Sequence, residues 1–363
     1  MKRRNLVMGG GAAAAFGLAA HAFGRGASYE AAADAVWTPP SRAAAGDLAF
    51  LVHHATLAAN SHNTQPWLFA GDTDAVTIRP DFSRATPVVD PDNHHLYASL
   101  GCAAENLALA ATALGRSSDA PRFDTATGAV QVELGGAVAG ADPLFEAIVQ
   151  RQSRRCDYDS KPVAAEDLAA CAAAARVEGC EVMLITERPR LEQLLELIVT
   201  ANRAQIADPG FVAELRHWLR FNPAAAIRHG DGLYAPCSDN PAMPDWLADL
   251  VFPLAFGARS ENAKIVRQVR SSAGFAAFVS DRDDPAHWVA AGRSVQRFAL
   301  AATARGLSYA FLNQPLEVAT YRPALAALLG CGDRRPDLLV RFGRSRAMPR
   351  ALRRPVAEVM AAA

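Results

Sequence analysis

The chain has 363 residues, of which 51% are hydrophobic and 20% charged, and its 37 Lys and Arg balance 37 Asp and Glu. That length amounts to about two domain-sized units at roughly 100–200 residues each, and the composition is too apolar for a disordered chain. The neutral balance argues against a nucleic-acid binder, which needs a basic surplus to displace counterions.

The N-terminus runs Lys2-Arg3-Arg4, then an apolar Gly/Ala stretch from Met8 to Ala20, then Ala20-His21-Ala22. A charged head, a weakly hydrophobic middle and an A-x-A exit read as an export signal over residues 1–22, and the paired arginines point to the twin-arginine machinery. A short apolar helix of the folded protein is the alternative. Residues 23–41, with Pro39-Pro40, read as a linker. A folded-state route predicts a periplasmic or otherwise exported protein. Past residue 30 no apolar run reaches the roughly 20 residues of a membrane helix, so the body is expected to be soluble.

Apolar stripes at helical spacing predict helices over 47–58, 97–114, 143–151, 165–176, 188–204, 288–305 and 322–329. Strands are expected over 67–70, 75–80, 181–185, 276–279, 308–311 and 336–342. Between about 205 and 270 six prolines mix with aromatic residues, which suits a cover or lid and equally a satellite packing layer. The six cysteines form no C-x-x-C pair and read as small buried hydrophobes.

One segment recurs. Ala108 to Gly115 reads ALAATALG and Ala299 to Gly306 reads ALAATARG, with Gly101 and Gly292 at matching offsets upstream. A single Ala-rich octamer is weak, but the paired glycines favour a duplicated unit in an α+β chain. The halves are expected over 42–140 and 141–363, the second carrying the 205–270 insertion.

Two polar constellations stand out. Asn60-Ser61-His62-Asn63-Thr64-Gln65-Pro66-Trp67 lies at a helix-to-strand turn and can present several donors and acceptors to a planar heterocycle. Capping and turn duties account equally well for Asn60, Ser61 and Asn63. In the second, Arg151, Ser153 and Arg155 alternate where a helix is expected to end; in an extended segment they share a side and could grip a phosphate. A solvated basic run is the alternative. Arg350, Arg353 and Arg354 form a third basic cluster near the C-terminus. The pairs His53-His54 and His94-His95 lack metal-ligand spacing.

Arg-x-Ser-x-Arg followed by Lys161-Pro162-Val163 resembles the FMN-phosphate motif of the nitroreductase-like flavoproteins. Ser-x-Asn-x-Gln-Pro-Trp resembles the motif that reaches FMN from the partner subunit in that superfamily. Here the order is inverted. Together with Asp284, Trp288, Gly292 and Phe311-Leu312-Asn313-Gln314-Pro315, the pattern is similar to the Acg-type branch, single chains imitating the two-subunit dimer. It departs at Asn60, where a Ser after a Pro is expected.

The resemblance implies a nitroreductase-like fold over about residues 42–363, one FMN site and a monomeric intramolecular pseudo-dimer. Arg151, Ser153 and Arg155, with Arg353 and Arg354, would hold the phosphate end; Asn60, Ser61, Asn63 and Gln65 the ring's polar edge; Leu312, Asn313 and Gln314 would lie along the ring. It implies a small-molecule electron donor and an electron-poor acceptor such as a nitroaromatic or quinone. A donor confined to the cytoplasm conflicts with export, so a flavin-sequestering binding protein with a closed lid stands as the alternative. A secreted hydrolase is weaker, because no G-x-S-x-G occurs.

Overall fold

A computed structural model describes residues 28–41, 43, 46–72 and 74–361, and the expected export signal lies outside them. Its helices longer than a single turn are α1 (Tyr29–Trp37), α2 (Asp47–Thr56), α3 (His94–Ala113), α4 (Ala165–Ala174), α5 (Arg188–Ile206), α6 (Pro209–Trp218), α7 (Pro223–His229), α8 (Asp245–Ala255), α9 (Ala258–Arg270), α10 (Pro285–Ala304) and α11 (Arg322–Leu329). The strands are β1 (Trp67–Gly71), β2 (Ala75–Pro80), β3 (Arg116–Ser118), β4 (Arg122–Asp124), β5 (Ala129–Ala137), β6 (Cys180–Ile185), β7 (Leu219–Arg220), β8 (Leu233–Tyr234), β9 (Gly274–Ser280), β10 (Ser308–Phe311) and β11 (Pro336–Gly343).

Two antiparallel sheets share one plan. The first runs β1-β2-β5-β3, with β4 also on β5, and the second runs β6-β9-β11-β10. Matching β1 with β6, β2 with β9, β3 with β10 and β5 with β11 gives the same strand order twice, and α3 and α10 follow the second strand of each set. The fold is α+β with a repeated layout. The difference lies between the first two strands, which in the first half are joined directly and in the second are separated by α5 to α9.

The two long helices meet at the repeated glycines. A Cβ on Gly101 would fall 2.1 Å from the Val289 carbonyl oxygen, and one on Gly292 would fall 1.9 Å from that of Ala98. Only hydrogen at those positions allows so close a crossing. Buried polar bonds then lock the contact: Gln296 Nε2 donates to Asn106 Oδ1 at 2.7 Å, and Arg293 and Arg297 both pair with the buried Glu105.

The structure departs from expectation in four places. The helix expected over 143–151 is a single turn, Phe145–Ala147, after which the chain extends; the Arg151 side chain is drawn to the carbonyl of Leu57. Strands β3, β4 and β5 went unanticipated, although Val130, Val132 and Leu134 alternate inward on β5. Residues 29–37, expected as linker, form α1, capped by Ser28 and burying Tyr29, Ala33 and Trp37. Within 205–270, Pro209 and Pro223 begin helices, where a missing N–H costs nothing, so the insertion is largely helical. Cys180 is half-buried, the other five cysteines are buried, and all six are free.

Candidate active site

The turn after α2 is built from residues in an uncommon backbone region. His62, Asn63 and Gln65 have φ of 44°, 55° and 54°, a left-handed conformation costing of order 1–3 kcal/mol per residue unless the surroundings enforce it. Here they do. Asn60 Oδ1 accepts from the Gln65 backbone N–H at 2.9 Å. Asn63 Nδ2 donates to the carbonyls of Gly232 and Leu352, and Gln65 Nε2 donates to that of Gly230 at 2.9 Å. Gln65 Oε1 accepts from the Arg354 N–H at 2.7 Å. The amides of Asn63 and Gln65 are therefore spent on the polypeptide, holding the turn between α7 and the C-terminal segment.

That clamp turns residues 60–62 toward a cavity of about 690 Å³, within the range of small-molecule sites. Asn60, Ser61, His62, Ser99 and Cys102 form one wall with Leu312, Asn313 and Gln314, and Arg155 and Lys264 also line the space. Above lies an apolar cover from the insertion, including Phe211 of α6, Phe221, Val251 and Phe252 of α8, and Phe256. Six of the sequence-expected site residues thus share one cavity: Asn60, Ser61, Arg155, Leu312, Asn313 and Gln314.

The other six do not line it. Arg151 is buried, bonding to Tyr309 Oη and to the Leu57 carbonyl, and its Nε has no partner among the described residues. Ser153 forms a parallel bridge with Tyr309 at the edge of β10. Arg353 is buried and donates to Thr56 O at 2.7 Å, Ala58 O at 3.1 Å and Asn63 Oδ1 at 2.8 Å; burial lowers its pKa to about 9. Arg354 reaches the Gln65 carbonyl. The expected alternation of Arg151 and Arg155 onto one side is not what forms: the first points inward, the second to the cavity. Trp37 of α1 packs among these cations, its ring centre 5.0 Å from the Arg350 guanidinium carbon, 5.3 Å from that of Arg353 and 5.9 Å from that of Arg151.

Electrostatics single out Arg155. Its guanidinium has no hydrogen-bond or ion-pair partner among the described residues, and burial lowers its pKa. A desolvated cation facing a cavity with no carboxylate bound to it suits an anion. Lys264, from α9, donates to Ser238 O and Asn240 Oδ1 and has its pKa lowered by burial. At another part of the wall Gln205 Nε2 donates to Glu317 Oε2 at 2.7 Å, and burial raises the Glu317 carboxyl. His62, Lys264, Glu317, Tyr309 and Trp37 were missed by the sequence reading. His62 alone carried a signal, its place inside the motif.

Asp90, His94 and His95 also converge, with one candidate ligand atom from each within 4.8 Å of the others. The Asp90 carboxylate accepts from the N–H groups of His95 and Leu96, both at 2.9 Å, and His94 Nε2 bonds Asp337 Oδ1 at 2.9 Å. Capping and pairing account for this cluster.

Comparison with known proteins agrees with the motif reading at a coarse level. No family model matches the chain. It is 27% identical over 302 residues to a putative NAD(P)H nitroreductase of Mycobacterium tuberculosis, from strains CDC 1551 and H37Rv, covering 80% of this chain and 82% of each relative. The similarity supports a nitroreductase-like family. Among solved structures, the chain aligns with the FMN-dependent nitroreductase NfnB of Mycobacterium smegmatis in complex with NADPH (16% identity, 55% of this chain and 86% of that one, TM-score 0.37). A nitroreductase with bound FMN from Bacteroides fragilis gives 18% identity, 57% and 90% coverage and a TM-score of 0.36.

Proposed function

We propose that the protein is an FMN-dependent oxidoreductase of nitroreductase type, with one flavin in the cavity beneath α6, α8 and α9. The observation that carries this is the convergence of an unpartnered, desolvated Arg155 with the Ser61–His62 turn and the Leu312–Gln314 segment on one space of suitable size. Their chemistry fits FMN: a cation for the phosphate, hydrogen-bonding groups for the ring edge and apolar surface for the ring face. When bound, FMN supplies the hydride and electron chemistry, and the protein binds, orients and excludes water. The relatives' names and the motif pattern support a nicotinamide donor and an electron-poor acceptor such as a nitroaromatic or quinone.

The repeated strand order supports an intramolecular pseudo-dimer of the Acg type, whose first half contributes the 60–62 turn and whose second contributes Arg155 and 312–314. The halves assigned to 42–140 and 141–363, a monomeric state and export through the twin-arginine machinery complete this reading. The alternative, a flavin-sequestering protein, is supported by one observation: apolar residues of the insertion, among them Phe211, Phe221, Val251, Phe252 and Phe256, line the same cavity.

Purification followed by a visible spectrum, flavin release on denaturation and anaerobic NADPH addition tests the set. One FMN per chain, reduced by NADPH and reoxidised by a nitroaromatic, is expected. A colourless protein that takes up no FMN overturns the proposal, and bound but unreducible FMN leaves the sequestering protein in its place.

A further inference from the structure

His62 lies inside a motif whose three amide side chains, Asn60, Asn63 and Gln65, are bound to the polypeptide. Asn60 spends its oxygen on Gln65 and its nitrogen on the Ala58 carbonyl. Asn63 and Gln65 are clamped to the polypeptide. His62, by contrast, sits at φ 44° and ψ 18° on a partly buried ring lining the cavity, and neither ring nitrogen has a hydrogen-bond partner among the described residues. Strain of this kind persists where surrounding structure enforces it. Here the enforcement comes from Asn60 and Gln65, which bracket His62 and are joined by the Asn60 Oδ1 to Gln65 N–H bond, and from the clamped Asn63.

The two nitrogens differ. Nδ1 is sealed from solvent, whereas the ring as a whole faces the cavity. A proton on Nδ1 would be an orphaned buried donor, so the tautomer is assigned with the proton on Nε2. Burial first, then Arg155 and His95, lower the pKa to about 4, so the ring is neutral at pH 7. A neutral imidazole with one free N–H has the character of a fixed donor.

We propose that His62, through Nε2–H, donates a hydrogen bond to an acceptor atom on the polar edge of the ring bound in this cavity. This rests on the flavin reading of the site and adds a contact that Ser61 and Arg155 do not make. The role is distinct from phosphate binding, because it acts on the isoalloxazine and not on the ribityl phosphate.

Titration of the apo full-length chain with FMN and with riboflavin tests it. His62→Asn keeps a residue that tolerates left-handed backbone, while its shorter side chain draws the donor back from the position of Nε2. It is expected to weaken both flavins equally, by about 5–20-fold, the scale of one hydrogen bond, to perturb the bound-flavin absorption band and to lower its reduction potential. His62→Gln, which returns a donor of similar reach, is expected to recover affinity to within about threefold. Unchanged affinity, band and potential in His62→Asn overturn the inference, as does weakening confined to FMN. Failure of the wild-type chain to bind either flavin overturns the functional reading instead, so the two failures are separable.

Discussion

Arg353 donates to the side-chain oxygen of Asn63 at 2.8 Å across 290 residues of sequence. Asn63 also gives both its N–H groups to carbonyls, so its hydrogen-bonding capacity is almost filled. Asn63→Ala removes three bonds, one of them charge-assisted, and leaves a buried guanidinium short of an acceptor. A loss of about 2–4 kcal/mol is expected, read as a lower urea midpoint at constant slope. Ser61→Ala, facing the cavity, is expected to cost under about 0.5 kcal/mol. The reverse ranking would mean that Asn63 is a ligand group and not a clamp.

The helix crossing makes a sharper demand. At Gly292 an added methyl meets backbone, which cannot rotate away, so α3 and α10 must separate. Overpacking costs about 1–3 kcal/mol and more where backbone must move. Gly292→Ala is expected to lower Tm by several degrees, and Gly257→Ala, whose added methyl meets nothing within 4 Å, to lower it far less. Equal shifts would count against a rigid crossing.

The two motif arginines are expected to separate by phenotype. Arg155→Ala removes the free cation of the cavity and should weaken FMN by about 1.5–3 kcal/mol, with riboflavin little changed. Arg151→Ala removes bonds to Tyr309 and Leu57 and should lower Tm first. Isothermal titration beside thermal melts reads both effects. A stable Arg151→Ala that loses only FMN would return the phosphate to Arg151.

Legibility in the sequence followed how locally each feature is encoded. Six of the seven expected helices and the six expected strands are carried by periodicity within one segment and appear to within a few residues of where they were expected, whereas β3, β4 and β5 of the first sheet were not anticipated. The site was half legible. Both motifs bring residues to one cavity, but whether the Asn63 side chain turns into it or to Gly232 depends on the chain after α7, about 170 residues away in sequence. Periodicity cannot report that. The same holds for Trp37, whose partners Arg151, Arg350 and Arg353 come together only through the C-terminal return.

Buried histidines give the stability a pH slope. Burial lowers the pKa of His53 and of His62 to about 4, against about 6.5 in an unfolded chain. Between those values the unfolded state binds more protons, so stability falls as pH drops from 6.5 toward 4. Asp337 acts oppositely: burial raises it to about 7, so the folded state binds the extra proton below that pH. Replacing both histidines, as His53→Gln with His62→Asn, is expected to shrink the loss of urea midpoint between pH 7 and pH 5. An unaltered loss would assign the acid sensitivity elsewhere.

The cover decides between reductase and sequestering protein, and the structure says where to cut. Removing residues 230–250 would take away the Gly230 and Gly232 carbonyls that hold Gln65 and Asn63, and the Tyr234 ring that stacks on Tyr29 at 4.1 Å. That deletion destroys the site it is meant to open. On α8, Val251, Phe252 and Ala255 line the cavity, while Trp246, Leu250 and Leu254 are 69%, 63% and 82% exposed on the outside. Phe252 stacks on Phe256 with ring centres 4.7 Å apart and planes 11° from parallel. Such a pair contributes about 0.5–1.5 kcal/mol beyond its burial, so Phe252→Ala should raise the open population by about 2–10-fold. Anaerobic stopped-flow with NADPH is expected to show flavin reduction accelerated by that factor, with FMN content unchanged. Reduction that is already rapid in the wild type and indifferent to Phe252→Ala would mean that the donor reaches the ring without moving the cover, and the sequestering reading would fall.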